Sequence, residues 1–215
     1  HPLVAPLDER QYAEPDTWRT VVRMLGEKGW LNMFWPKKMG GQGRSPLEQY
    51  IFFNASLGYH QIPYPFFEIC CRSFDAHATE ATKKFFIPKM LKAESVICGG
   101  FTEPEAGSDL ASVSTRATRD GNDYIINGQK IWPSHAHLAN RIFLLARTNP
   151  DAPKPQGGIS FLLCSMEQPG VEARSIEMLN GTREFGEVFF SDARTPENHI
   201  VGGVDQGWKV ANTLL

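Results

Sequence analysis

Apolar residues return at helical spacing in the first half of the chain and at strand spacing in the second. Trp18, Val21, Val22 and Leu25 fall at i, i+3, i+4 and i+7 behind Asp16 as cap, which predicts a helix over 16–29 with Gly29 at its end. Pro36, Gly40, Gly41 and Gly43 make the next stretch a loop. A second helix starts on a strong local signal: Ser45 as cap, Pro46 at the first helical position, and Glu48 three residues after the cap. Leu47, Tyr50, Ile51, Phe52, Phe53 and Leu57 cover so much of its circumference that this helix is expected to be buried. Two more helices are predicted, one around Phe66 to Phe74 and one that begins near Thr79, carries Glu80 in its first turn and stops before Pro88.

Past Ser95 the period changes. Val113, Thr115 and Ala117 alternate, Asp120-Gly121 supplies a turn, and Asn127-Gly128, set between Tyr-Ile-Ile and Gln-Lys-Ile-Trp, reads as a hairpin. Ile142 to Ala146, Ile159 to Cys164, Val171 to Ile176 and Glu187 to Phe190 are further strands, separated by short loops bearing Pro or Gly. From about Gly207 a new helix opens. The expected fold class is α+β: an N-terminal α-helical domain (1–95), an antiparallel β-barrel-like middle domain (96–204), and the start of a C-terminal helical domain (205–215).

Composition narrows the function classes. With 215 residues, 41% of them hydrophobic, the chain can fill a real core. Lys plus Arg number 22 against 24 acidic residues, and the net charge of -2 offers no basic field for nucleic acid or anionic membranes. Cys70, Cys71, Cys98 and Cys164 show neither zinc-site nor disulfide-framework spacing, so buried free thiols in a reducing compartment are expected. No apolar run approaches the roughly 20 residues a membrane span needs. The first residues lack the layout of a signal peptide. These readings together predict a soluble, cytoplasmic protein.

Several residue groups invite chemistry when taken singly. Glu103, Glu105 and Asp109 suggest an acid/base pair or a metal site, but no third ligand type stands near them and acidic turn residues are common. His135 and His137 have the spacing of two ligands on one strand face without a carboxylate or cysteine beside them. Gly40 to Gly43 follows no strand and lacks the lysine of a P-loop. No metal is expected.

The order of motifs says more. Gly99-Gly-Phe-Thr-Glu-Pro-Glu-Ala-Gly-Ser-Asp109 resembles the flavin-binding signature of acyl-CoA dehydrogenases, and Asn127-Gly-Gln-Lys-Ile-Trp132 resembles their second signature. Gly29-Trp30, Trp35-Pro36 with Gly40-Gly41, Phe86-Ile-Pro88, residues 158–163, Glu187 to Phe190 and Gln206 to Ala211 resemble further family motifs in the family's order, so the likeness covers nearly the whole chain.

That resemblance implies FAD as cofactor, held by Phe101, Thr102, Gly107, Ser108, Trp132, Pro133 and Ser134, with Ser108 also near an acyl-CoA substrate. Isoalloxazine is flat and apolar with polar edges, which suits the face of Trp132 and the hydroxyls of Thr102 and Ser134. At Gly107 the missing β-carbon lets backbone amides approach pyrophosphate. The implied reaction is α,β-dehydrogenation of an acyl-CoA thioester to the trans-2-enoyl-CoA, with electrons passed to an electron-transfer flavoprotein by a dimer or tetramer. In the family the catalytic glutamate usually lies in the C-terminal helical domain, so no catalytic base is expected in this chain. The family's first helix would likewise precede His1. Two positions depart from the family pattern: Pro133, which should confine Trp132 to extended conformations, and His135, beside the implied flavin edge. They keep open a non-catalytic subunit of a mixed oligomer, and a change of electron acceptor on the same scaffold gives a second alternative, a related-fold flavin oxidase or monooxygenase. Acyl chain type is not legible.

Overall fold

A computed structural model describes residues 15–33, 35–56 and 72–214. Helix α1 (Pro15–Glu27) buries Trp18, Val21 and Val22 on the face that the spacing predicted. Helix α2 (Pro46–Ser56) begins on the expected capping box, the Ser45 amide donating to Glu48 Oε2 at 2.8 Å and the Glu48 amide to Ser45 Oγ at 3.3 Å. Its burial is not as expected. Leu47, Tyr50 and Ile51 are 67%, 65% and 58% exposed, so an all-round apolar helix keeps one face uncovered by the described residues. The helix anticipated at Phe66 to Phe74 lies outside the described residues up to 71, and residues 72–77 are helical. Cys70, Cys71, Leu57 and the chain's first residues also lie outside them.

Helix α3 (Glu80–Leu91) starts where the sequence said, with the Thr79 hydroxyl accepting from the Thr82 amide at 3.2 Å, but runs through Pro88. A proline in the last turn removes one helical bond, while its carbonyl still accepts from the Lys92 amide at 3.2 Å. Burial of Phe86, Ile87, Met90 and Leu91 outweighs that loss.

The rest is one eight-stranded sheet with the order β6-β7-β3-β2-β4-β5-β8 and β1 added against β4. The strands are β1 (Ile97–Gly100), β2 (Arg116–Asp120), β3 (Asp123–Ser134), β4 (Arg141–Arg147), β5 (Ile159–Ser165), β6 (Val171–Ile176), β7 (Phe185–Pro196) and β8 (Ile200–Val201). The α+β expectation holds. Antiparallel pairs dominate, with β4 parallel to both β1 and β2. The runs Ile142 to Ala146 and Ile159 to Cys164 are wholly buried, as continuous apolar strands should be. Gly121 serves the turn between β2 and β3. Asn127-Gly128 makes no turn: it sits inside β3 at a bulge opposite β7, where a β-carbon on Gly128 would meet Thr115 Oγ1 at 2.6 Å. Helix α4 (Gly207–Leu214) follows as expected.

Aromatic rings tie the helical part to the sheet. Phe86, Phe74, Phe143, Phe161 and Phe101 form a chain of contacts with centroid separations of 6.0, 5.5, 4.9 and 6.0 Å. The last ring belongs to the segment that leaves β1.

Candidate functional site

Beyond Gly100 the chain passes through Phe101 and Thr102 and reverses over Glu103 to Ala106, where the two end residues exchange amide bonds of 2.9 and 3.1 Å. Strand β3 grips this exit. The Ile131 amide donates to the Thr102 carbonyl at 3.0 Å, and Lys130 Nζ donates to the Phe101 carbonyl at 3.0 Å and to Glu103 Oε1 at 2.7 Å. Glu103 also accepts from the Ser114 amide and hydroxyl at 2.6 and 2.8 Å and from the Thr115 amide at 3.0 Å. Lys130 is 0% and Glu103 3% exposed.

Burial opposes charge on both partners. For Glu103 it is overcome by the Lys130 cation and the converging donors, which bring the carboxyl down to about 2. For Lys130 it prevails over the attraction of Glu103 and lowers the ammonium to about 8. Sequence reasoning weighed Glu103 only as an acid or ligand and passed over Lys130. The available signal was a lysine on the inward side of β3, where Tyr124 and Ile126 are buried: such a position demands a partner.

Next along β3 comes Trp132, at a second register shift between Ile131 and Ser134. Its φ of 70° is left-handed, which corrects the expectation that Pro133 would hold it extended. The bulge re-aims the indole, leaving it 52% exposed with Phe185 at its edge, 6.0 Å away and 85° inclined. Pro133 is buried, and Ser134 is half-buried and paired with Phe185. His135 has a φ of 55°, and its ring lies 6.2 Å from that of Trp18 on α1. Burial lowers the pKa of His135 and of His137. Among the described residues no group of three or more His, Cys, Asp or Glu stands close enough for a metal.

The predicted residues thus fall into two sets. Phe101, Thr102, Trp132, Pro133 and Ser134 lie on two adjoining segments joined by the Ile131–Thr102 bond. Gly107 and Ser108 are exposed past the reversal, and no hydrogen bond or ring contact among the described residues joins them to the Trp132 segment. A β-carbon on Gly107 would meet nothing within 4 Å, so the loop is open at that point. Arg147 anchors its far side, donating to the carbonyls of Ala111 and Val113 at 2.6 and 3.1 Å. The hydroxyls of Thr102, Ser108 and Ser134 bond to no protein atom among the described residues. A recess lined by Asn122, Asp123, Pro196, Glu197 and Asn198 lies at the opposite end of β3 and takes no part in this arrangement.

No helix among the described residues is long and apolar enough to cross a membrane. Two family models match the sequence: "Acyl-CoA dehydrogenase, N-terminal domain" over residues 1–94 and "Acyl-CoA dehydrogenase, middle domain" over residues 98–193. The acyl-CoA dehydrogenase FadE29 of Mycobacterium tuberculosis is 38% identical over 99% of this chain and 56% of its own length. Among solved structures, one described as "Tcur3481-Tcur3483 steroid ACAD" is 36% identical with a TM-score of 0.85, covering 100% of this chain and 56% of that one. The ChsE4-ChsE5 complex from Mycobacterium tuberculosis is 34% identical with a TM-score of 0.84, covering 98% of this chain and 55% of that one. The chain spans about half the length of the curated relatives it matches.

Proposed function

The chain belongs to the acyl-CoA dehydrogenase family, and from that premise we propose that the whole protein carries out FAD-dependent α,β-dehydrogenation of an acyl-CoA thioester. The observation that supports the reading is the 3.0 Å bond from the Ile131 amide to the Thr102 carbonyl, which joins the backbone of the Thr102 segment to the strand one residue before the half-exposed Trp132. An open aromatic face with free hydroxyls at its rim fits a flat ring system with polar edges. Bound FAD supplies the acceptor for the hydride that leaves the substrate β-carbon.

The side chains of this chain hold and orient. Trp132 would cover one face of the ring, Thr102 and Ser134 would donate to its polar edge, and the amides at Gly107 and Ser108 would hold the pyrophosphate, with Ser108 near the acyl-CoA. In the reaction the Cα–H and Cβ–H bonds break and a double bond forms: the β-hydrogen leaves with its electron pair and the α-proton goes to a base. Glu103 is not that base. It is buried and already accepts from Lys130, Ser114 and Thr115, so its lone pairs are committed to the fold. The base lies outside this chain.

The steroid label of one solved neighbour supports a bulky polycyclic acyl group as substrate. Family membership suggests an electron-transfer flavoprotein as the onward acceptor. Purified full-length protein should be yellow, and a steroid acyl-CoA should bleach its flavin band faster than a straight-chain thioester does. A colourless protein that FAD fails to reconstitute contradicts the reading. Rapid oxygen consumption after reduction would replace the onward acceptor and make the protein an oxidase.

A second reading is favoured by the two-component composition of both solved neighbours: this chain works as one subunit of a mixed oligomer. It predicts that the protein takes up FAD only when co-purified with a second, related chain. Full flavin content in the chain expressed alone would remove it.

A further inference from the structure

We propose that Lys130 and Glu103 are positioning residues for the flavin site: their buried pair locks the Phe101–Glu103 exit of β1 onto β3, fixing Thr102 next to Trp132. This deepens the flavin reading above and rests on it.

Three consecutive residues are held by two. Lys130 Nζ reaches the Phe101 carbonyl at 3.0 Å and Glu103 at 2.7 Å, while the Ile131 amide takes the Thr102 carbonyl between them at 3.0 Å. Thr102 therefore has its backbone pinned on both sides and its hydroxyl free. Trp132 follows Ile131 directly, so any slip of the exit along β3 changes the separation of hydroxyl and indole. The other end of the latch is fixed too, because Glu103 accepts from the Ser114 amide and hydroxyl and the Thr115 amide. Thr115 in turn bonds the Gln129 carbonyl at 3.3 Å, returning the connection to β3.

A closed loop of this kind suits positioning more than stability. Burying two opposite charges gains little over well-packed apolar residues, but it selects one register because any other leaves a charge unpaired. Neither residue touches the proposed ring. Their effect passes through Thr102 and the start of the signature loop.

The test uses the full-length protein, with FAD as the probe, as wild type, Lys130→Met and Ser114→Ala. FAD affinity is read by flavin fluorescence, the setting of the ring by the visible absorption of bound FAD, and folding by near-ultraviolet circular dichroism. Folded Lys130→Met should bind FAD about tenfold or more weakly, the order expected on losing a charge-assisted contact that holds the site, and its bound spectrum should move toward that of free FAD. Ser114→Ala, which only weakens the far end of the latch, should bind roughly threefold more weakly with an unchanged melting temperature. Wild-type affinity and spectrum in folded Lys130→Met overturns the positioning role and leaves the flavin reading intact. If Lys130→Met does not fold, Ser114→Ala decides: unchanged affinity and spectrum overturns the proposal, and a shift in both at constant melting temperature upholds it. A wild type that takes up no FAD, whether expressed alone or co-purified with a second, related chain, overturns both readings.

Discussion

Replacing Lys130 by methionine keeps an unbranched apolar stem and removes Nζ, with its contacts of 2.7 Å to Glu103 and 3.0 Å to the Phe101 carbonyl. The two pKa displacements pull in opposite senses: Glu103 at about 2 says the fold favours the pair's charge, and Lys130 at about 8 says the fold resists it. They oppose each other, so the intact pair adds little over well-packed apolar residues at neutral pH. The Glu103 direction carries more weight, because Ser114 and Thr115 reinforce it independently of Lys130. Removing one partner is different, since it strands a buried carboxylate at a cost of about 3–5 kcal/mol. With a urea slope of about 2–3 kcal/mol/M, the midpoint of full-length Lys130→Met should fall by about 1–2 M near neutral pH. Glu103 has its pKa depressed in the fold, so its contribution is complete above the unfolded value near 4.5 and is lost as pH falls toward about 2. The gap between wild type and variant should therefore narrow on acidification through that window. Adding Glu103→Leu to Lys130→Met should recover most of the loss, because no charge is then stranded. A midpoint change under about 0.3 M near neutral pH, or a gap that widens on acidification, would refute the reasoning.

Ser134→Ala should leave FAD content near that of wild type and slow flavin reduction by acyl-CoA, followed by stopped flow, by about tenfold; an unchanged rate removes Ser134 from the ring edge. Gly128→Ala should cost about 2 kcal/mol or more, because φ is 148° and the new methyl would meet Thr115 Oγ1 at 2.6 Å and its Cα at 2.7 Å; a melting temperature within error of wild type would contradict this. The Cys164 thiol is pushed up to about 12 by burial and Cys98 is raised above the usual range by the same cause. Neither should react with a thiol reagent in the folded protein at mildly alkaline pH, and prompt labelling of either, located by peptide mapping, would count against their burial.

Elements whose signal is local or strongly periodic were legible in the sequence. Trp18, Val21 and Val22 gave the buried face of α1, Ser45 with Glu48 the start of α2, and the apolar runs of β4 and β5 their burial on both faces. Failures came where a distant partner decides. Asn127-Gly128 is a strong turn signal, yet the Asn127 side chain accepts from the Asp192 amide at 2.9 Å and donates to its carboxylate at 2.9 Å, so the long β3–β7 pairing uses the pair as a bulge. Pro88 marks a helix end locally, but the buried residues after it hold the helix together to Leu91. At the site, motif order named Thr102 and Trp132, while the Lys130–Glu103 pair that joins their segments spans 27 positions, and the inward place of Lys130 on β3 signals a need for a partner without saying which. The left-handed backbone of Trp132 was illegible because proline at the next position argues against it.

That conformation also separates what Trp132 does for the fold from what it does for a ligand. A bulky residue with φ of 70° ahead of a proline is strained by about 1–3 kcal/mol, and only the surrounding bulge imposes the geometry. The indole returns little of this to the fold, being 52% exposed with one edge contact to Phe185, a pair worth about 0.5–1.5 kcal/mol. Glycine adopts the same φ freely. Trp132→Gly should therefore leave the urea midpoint of the flavin-free protein within about 0.5 M of wild type, in either direction, because relief of strain offsets the lost contacts. FAD affinity, measured on the same preparation, should fall by about tenfold, since the broad face of the site is gone. The opposite pair of results, a midpoint lowered by more than about 1 M with FAD affinity intact, would make Trp132 a packing residue and remove the main reason to place a flavin here.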